Sequence, residues 1–306
     1  MDFVSSVLGI KRNMAARFRG QPAKRVLVLE GGGMRGIFLT GVLQAFKDHE
    51  YAPFELIIGS SAGALTGTAF AADQIWLARD AFFSELLSGH FIRMRNILRP
   101  EKHILNLDWM VNHIVMGKYP LNLRRLRLWG APVLITATRL SEDQVPETLY
   151  LSTKADDIPK SLKATAAIPF FYRGFVNYKG YPLLDGGLLD PVPFQKALDM
   201  GYREDEILVV LTRQKGYRKK HESFWVTALY ENYYRDDKYR FLLYSLNERY
   251  HMYNRVMDEL EYRYPGIDVL YPPQDFAVNR LTRNEEKILR GFEDGVVAAR
   301  SYLRGS

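Results

Sequence analysis

Apolar positions along this chain fall into two alternating kinds of run. Short unbroken runs closed by glycine or an acid read as strands buried on both faces, and longer runs with helical spacing read as helices. Residues 25–30 form the first strand and run into a glycine cluster, and residues 37–48 follow with Ile37, Val42, Leu43 and Phe46 at helical spacing. A second strand over 54–58 precedes helices over about 62–72 and 75–87. Residues 90–125 are basic and mixed without a clean period, so they read as a surface excursion. Strands follow over 132–137 and 147–151, then a helix over 158–167 stopped by Pro169, and a strand over 181–184 that exits into Asp185. A strand over 206–211, helices filling about 222–263, a short strand over 267–271 and a helix over 284–303 complete the pattern. This alternation predicts an α/β domain with a mostly parallel central sheet covered by helices on both faces. The expected organisation is a basic extension (1–22), a core (23–200), and a C-terminal part (201–306) of strands and Tyr-rich helices packed on the same domain.

Composition narrows the chemistry. The 306 residues are 47% hydrophobic and 25% charged, which fits a globular chain and argues against disorder. Zero cysteines remove disulfides, thiolate metal sites and a cysteine nucleophile. No metal spacing such as H-E-x-x-H occurs, and no metal or organic cofactor is expected. The net charge of +7 is concentrated at the start: Lys11, Arg12, Arg17, Arg19, Lys24 and Arg25 stand against Asp2 alone. Two readings of that segment stay open, a solvated tail or a segment lying on anionic bilayers. Its apolar stretch is broken by Ser5 and Ser6 and precedes the basic residues, unlike a secretory signal. No run approaches the roughly 18 apolar residues of a spanning helix. The expectation is a cytoplasmic protein whose only membrane contact is peripheral, at the inner face. Oligomeric state is left open by the sequence.

Gly31-Gly32-Gly33-Met34-Arg35-Gly36 follows a strand and opens a helix, where glycines let backbone amides approach an anion. A dinucleotide site of this form needs an acid at the end of the second strand. That strand ends instead in Gly59-Ser60, and Glu50 and Glu55 lie at its wrong end. The same amides suit an oxyanion hole. Gly59-Ser60-Ser61-Ala62-Gly63, between a strand and a helix, has the spacing of a nucleophile elbow with Ser61 at its centre. Both loops leave strands at what should be one carboxyl edge, where α/β sites form.

A serine nucleophile needs a base. His221 and His251 follow Ser61 and Asp185 in the order of a Ser–Asp–His triad. Yet His221 lies in a charge-rich run and His251 in a Tyr-rich helical pattern, and His49, His90, His103 and His113 have no motif around them. Asp185, leaving a strand ahead of Gly186-Gly187, is better placed to act as the base itself.

Taken in order, Gly31–Gly36, Gly59–Gly63 and Asp185-Gly186-Gly187 resemble the patatin-like phospholipase family, including its bacterial members. Residues 164–171, Ala-Thr-Ala-Ala-Ile-Pro-Phe-Phe, are similar to that family's small-residue segment ending in Pro and an aromatic. The resemblance spans about residues 25–195. It implies a three-layer α/β/α fold, hydrolysis of phospholipid or another acyl-ester lipid, and a Ser61–Asp185 dyad without histidine. It further implies an oxyanion hole from the Gly31, Gly32 and Gly33 amides, Arg35 at the loop's basic position, and supporting roles for Gly36, Gly59, Gly63, Gly186 and Gly187. Asp190 stands where many members carry Asn. Two rival readings remain, a His-dependent α/β-hydrolase esterase and a non-catalytic nucleotide- or anion-binding domain. Nucleic-acid binding is not expected, since no aromatic-interleaved module accompanies the basic terminus. Between residues 217 and 271 lie 11 of the 19 tyrosines, a composition that suits helix packing or a membrane interface and names no substrate.

Overall fold

Val26–Leu29, the strand β1, is four apolar residues with no exposed side. In the computed structural model, which describes residues 24–305 apart from 100, 142 and 144, that strand lies inside the sheet. The basic extension expected over 1–22 lies outside the described residues. β1 pairs in parallel with β2 (Leu56–Gly59) on one side and with β7 (Ile207–Val210) on the other. β3 (Val133–Leu140) extends the parallel run beyond β2, and β8 (Asp268–Leu270) extends it beyond β7.

Alternate residues of the central strands face opposite layers, as the two-residue period of a strand requires. Leu27, Leu29, Ile57, Ile135 and Leu208 join one apolar cluster, packed by α1 (Gly36–Asp48), α2 (Ala62–Ala71) and the C-terminal helix α8 (Glu285–Arg304). Val26, Val28, Ile58 and Val209 join the other, packed by α5 (Phe194–Asp199) and α7 (Arg240–Asp258). The result is the three-layer α/β/α sandwich. α1 and α8 cross at glycines: a Cβ on Gly41 would meet the Phe292 carbonyl oxygen at 2.1 Å, and one on Gly295 the Phe38 carbonyl oxygen at 2.2 Å.

The sheet is mixed. β4 (Pro146–Ser152) runs antiparallel along one edge of β3, from Leu134 to Leu140. β2 and β6 (Tyr181–Asp185) therefore share the other edge, β2 against residues 133–135 and antiparallel β6 against residues 137–139. β5 (Val176–Tyr178), a three-residue strand absent from the sequence pattern, closes the sheet as a hairpin with β6. Residues 90–125 depart from the expected surface excursion. Leu107, Met110, Val111, Ile114 and Val115 are buried in the core along a helical segment that is π-helical over Met110–Lys118. Their spacing is helical, but interleaved polar residues and flanking basic segments obscured it.

Candidate active site

Gly59 and Asp185 are brought together by β3. Gly59, ending β2, pairs with Ile135, while Asp185, ending β6, pairs with Ala137 two residues further along the same edge. The two strands meet end to end. Asp185 thus reaches the carboxyl edge of the parallel strands from the opposite direction, on an antiparallel strand.

At the elbow, Ser61 adopts φ 50° and ψ −122°, a conformation costly for a residue with a Cβ and characteristic of functional turns. The fold holds it there. The Ser61 N–H donates to Thr165 Oγ1 at 2.8 Å, and Gly63 lies so close to β1 that a Cβ there would stand 2.3 Å from the Leu29 carbonyl oxygen. Gly59 and Gly36 are equally confined, by the Ala64 backbone and the Ala62 side chain. Ser61 lines a cavity that also exposes Asp185, Gly31, Gly32, Gly33 and Arg35. Ser60 is fully buried with its hydroxyl unpartnered, and it lines neither cavity at Ser61.

Asp185 is fixed through three bonds. Its Oδ1 accepts from the Gly187 N–H at 2.7 Å, its carbonyl oxygen from Thr138 Oγ1 at 2.9 Å, and its N–H donates to the Ala167 carbonyl oxygen at 3.0 Å. Its other carboxyl oxygen is buried without a partner. Burial pushes the carboxyl up to about 6, against the opposing influence of the Ser61 hydroxyl, the Gly187 amide, Arg280 and Arg249. No direct Ser61–Asp185 bond of normal length and angle is formed. Such contacts commonly tighten only once substrate is bound. Gly186 packs on Thr136, with no room for a side chain.

In the glycine loop the three amides differ. Gly31 N–H donates to the Pro191 carbonyl oxygen at 3.2 Å, whereas no acceptor among the described residues meets the N–H of Gly32, Gly33 or Ala62. Gly33 has φ +57°, and a Cβ there would meet the Arg280 carbonyl oxygen at 2.7 Å. Arg35 is buried with its Nε unpartnered, and burial, with Arg213 and Arg280 nearby, pushes it down to about 9. Glu30, at the exit of β1, is held by Thr212 and by the Tyr253 hydroxyl at 3.0 Å.

No histidine lines this cavity. His221 contacts the Glu222 carbonyl oxygen and the Tyr250 ring, and His251 lies tilted against the same tyrosine. Asp190 accepts from the Tyr150 hydroxyl at 2.6 Å, and burial pushes its carboxyl up to about 6. It does not line the cavity either.

Ser61 lies where two cavities meet. The second is apolar, walled by Leu65, Phe82, Leu86, Phe91, Leu105 and Met110, and shares Gly33, Ser61, Ile168 and Arg280 with the first. Several lining residues carried no sequence signal: Arg213, Lys219, Arg249 and Arg280 are single cations on separate elements, assembled only by folding.

The chain is 29% identical to YjjU of Escherichia coli (strain K12) over 287 residues, covering 92% of this chain and 78% of that protein. It is 29% identical over 188 residues to the NTE family protein Mb1092c of Mycobacterium bovis, covering 58% of this chain and 47% of that one. VipD from Legionella pneumophila has the same fold, with a TM-score of 0.53 at 15% identity over 93% of this chain and 67% of VipD. The family model described as patatin-like phospholipase matches residues 27–198, which takes in the glycine loop, the elbow and Asp185. The chain belongs to the patatin-like phospholipase family.

Proposed function

We propose that this protein is a serine lipid acyl hydrolase of the phospholipase A or lysophospholipase type, working through a Ser61–Asp185 dyad. The strained turn at Ser61, facing a cavity that it shares with the buried Asp185, is the observation that carries this reading. In the first step Ser61 Oγ attacks the ester carbonyl carbon and its proton passes to Asp185. The tetrahedral oxyanion is held by the unclaimed amides of the glycine loop, Gly32 and Gly33, with Ala62 at the N-terminus of α2 as a further donor. Gly31, whose amide is engaged with Pro191, shapes the loop. The carbon–oxygen bond to the alcohol then breaks, and Asp185 returns the proton to the leaving oxygen. Water attacks the acyl-serine, gives a proton to Asp185, and the acid leaves as Ser61 regains its hydrogen. A carboxyl raised to about 6 suits this duty better than an ordinary one, since its proton affinity is closer to neutrality. The apolar cavity beside Ser61 supports an acyl chain as the group transferred.

Contact with an anionic membrane is part of the proposal. Phe224 and Trp225, each 76% exposed, stand on α6 (Phe224–Tyr233) close in sequence to Lys220 and Arg235. No helix among the described residues is long and apolar enough to cross a membrane.

The test is kinetic. Ser61→Ala and Asp185→Asn should each reduce ester hydrolysis at least about 10³-fold, because nucleophile and base act as a unit. His221→Ala and His251→Ala should stay within about threefold of wild type. A large loss in either histidine variant, still folded by circular dichroism, would favour the triad reading.

A further inference from the structure

The first of the two cavities that meet at Ser61 is lined by cations. Arg35, Arg213, Lys219, Arg249 and Arg280 all line it, with Glu30 and Asp185 as its acidic residues. Arg249 pairs with Glu222. Among the described residues, none of the other four has a carboxylate within ion-pair distance. Lys219 instead lies 5.0 Å from the Tyr253 ring and Arg213 lies 4.2 Å from the Tyr217 ring. Glu30 does not neutralise them at contact, since its oxygens accept from Thr212 and Tyr253.

Gathering these like charges around one cavity is unfavourable. Burial, with Arg249 and Arg280 nearby, pushes Lys219 down to about 7. Arg280 is likewise pushed down, by burial and by Arg249 and Arg213. Buried charge without a partner is costly, and like charges brought together add to that cost. The dyad does not account for the set. Asp185 feels Arg280 and Arg249, but Arg213 acts on Arg35, Arg280 and Tyr253, and Lys219 feels Arg249 and Arg280 and lies over the Tyr253 ring. A ligand anion would satisfy all of them.

We propose that this cation-lined cavity holds a subsite for a phosphate group, and that the preferred substrate is an acyl-ester lipid of net negative headgroup charge. The inference rests on the ester hydrolase reading for its geometry. An ester carbonyl at Ser61 with its acyl chain in the apolar cavity leaves the alcohol portion in the cation-lined cavity. Guanidinium groups suit phosphate oxygens, which accept from their paired N–H donors. A headgroup carrying an ammonium would place a positive charge among the same cations, so discrimination comes from repulsion as well as attraction. Four of the five cations come from beyond residue 198, outside the segment matched by the family model. Arg213 follows β7, Lys219 lies in the following loop, Arg249 is on α7 and Arg280 precedes α8. This subsite is therefore supplied mostly by C-terminal elements, with Arg35 from the glycine loop.

The experiment uses full-length protein and short-chain lysolipids below their micelle concentrations, so that attraction of a basic protein to an anionic surface plays no part. Octanoyl lysophosphatidic acid should be hydrolysed with kcat/KM at least about tenfold above octanoyl lysophosphatidylcholine. In Arg213→Gln and Lys219→Gln that ratio should fall toward one. Calorimetry with glycerol 3-phosphate and inorganic phosphate on Ser61→Ala protein, which needs no catalysis, should show binding that weakens about tenfold when either substitution is added. Phosphate binding without any hydrolysis would support the subsite and overturn the hydrolase reading. Hydrolysis with equal rates for the two lysolipids would overturn the proposal, whether or not inorganic phosphate binds.

Discussion

Asp185 meets two opposed demands. Catalysis by the proposed route needs a buried carboxylate that accepts a proton, and burial is what makes that carboxylate unfavourable. Its value near 6 exceeds the ordinary 3.8, so the folded protein holds this proton more tightly than the unfolded chain does. The group's contribution to stability is full below 3.8 and is lost as pH rises through about 6. Above that, the ionised side chain opposes folding by as much as roughly 3 kcal/mol. Asp185→Asn keeps an oxygen for the Gly187 amide and loses the charge. Urea unfolding should show the variant more stable than wild type by about 1–3 kcal/mol at pH 8 and little changed at pH 4. Asp190 is raised as well but is common to both proteins, so it cancels in the comparison. The wild-type kcat/KM should rise with pH through about 6. Equal stability of the two proteins at pH 8 would mean that Asp185 is not desolvated as described.

At the scale of elements, the exposed face of α6 is the feature that most needs an explanation. Only Tyr230 of Phe224–Tyr233 is buried, so the helix presents large aromatic rings to solvent. Aromatic rings exposed in this way suit a membrane–water interface, where aromatic side chains sit at headgroup level. Replacing both Phe224 and Trp225 by Ser should lower the ratio of hydrolysis on anionic vesicles to hydrolysis of a dissolved ester by about tenfold. An unchanged ratio would leave the aromatic face without a role at the membrane. The same scale shows what the sequence could reveal. β1, β2 and β7 were legible because central parallel strands are apolar on both faces. β5 was not, since three residues, Val176–Tyr178, with one exposed side leave almost no period. The direction of β6 was hidden too, because strand pairing is set by tertiary contacts, and its exit glycines look the same either way. The buried helical segment at Leu107–Lys118 was masked by the polar residues interleaved through it.

For the whole molecule, motif residues and assembled residues divide sharply. Ser61, Asp185 and the glycine loop were readable because each lies in a short segment whose backbone geometry demands glycine beside it. Among the cations facing them, Arg35 belongs to the glycine loop and was read with it, whereas Arg213, Lys219, Arg249 and Arg280 were not, since they meet only after β7, α7 and the loop before α8 have packed. The central claim is that this folding creates one activated serine, at position 61. Fluorophosphonate labelling of native protein, with the adduct mapped by mass spectrometry, tests it most directly. The account predicts a single adduct on Ser61, formed at a rate that rises with pH through about 6 and that is lost in Asp185→Asn. An adduct on Ser60 or elsewhere, or undiminished labelling of Ser61 without Asp185, would contradict it.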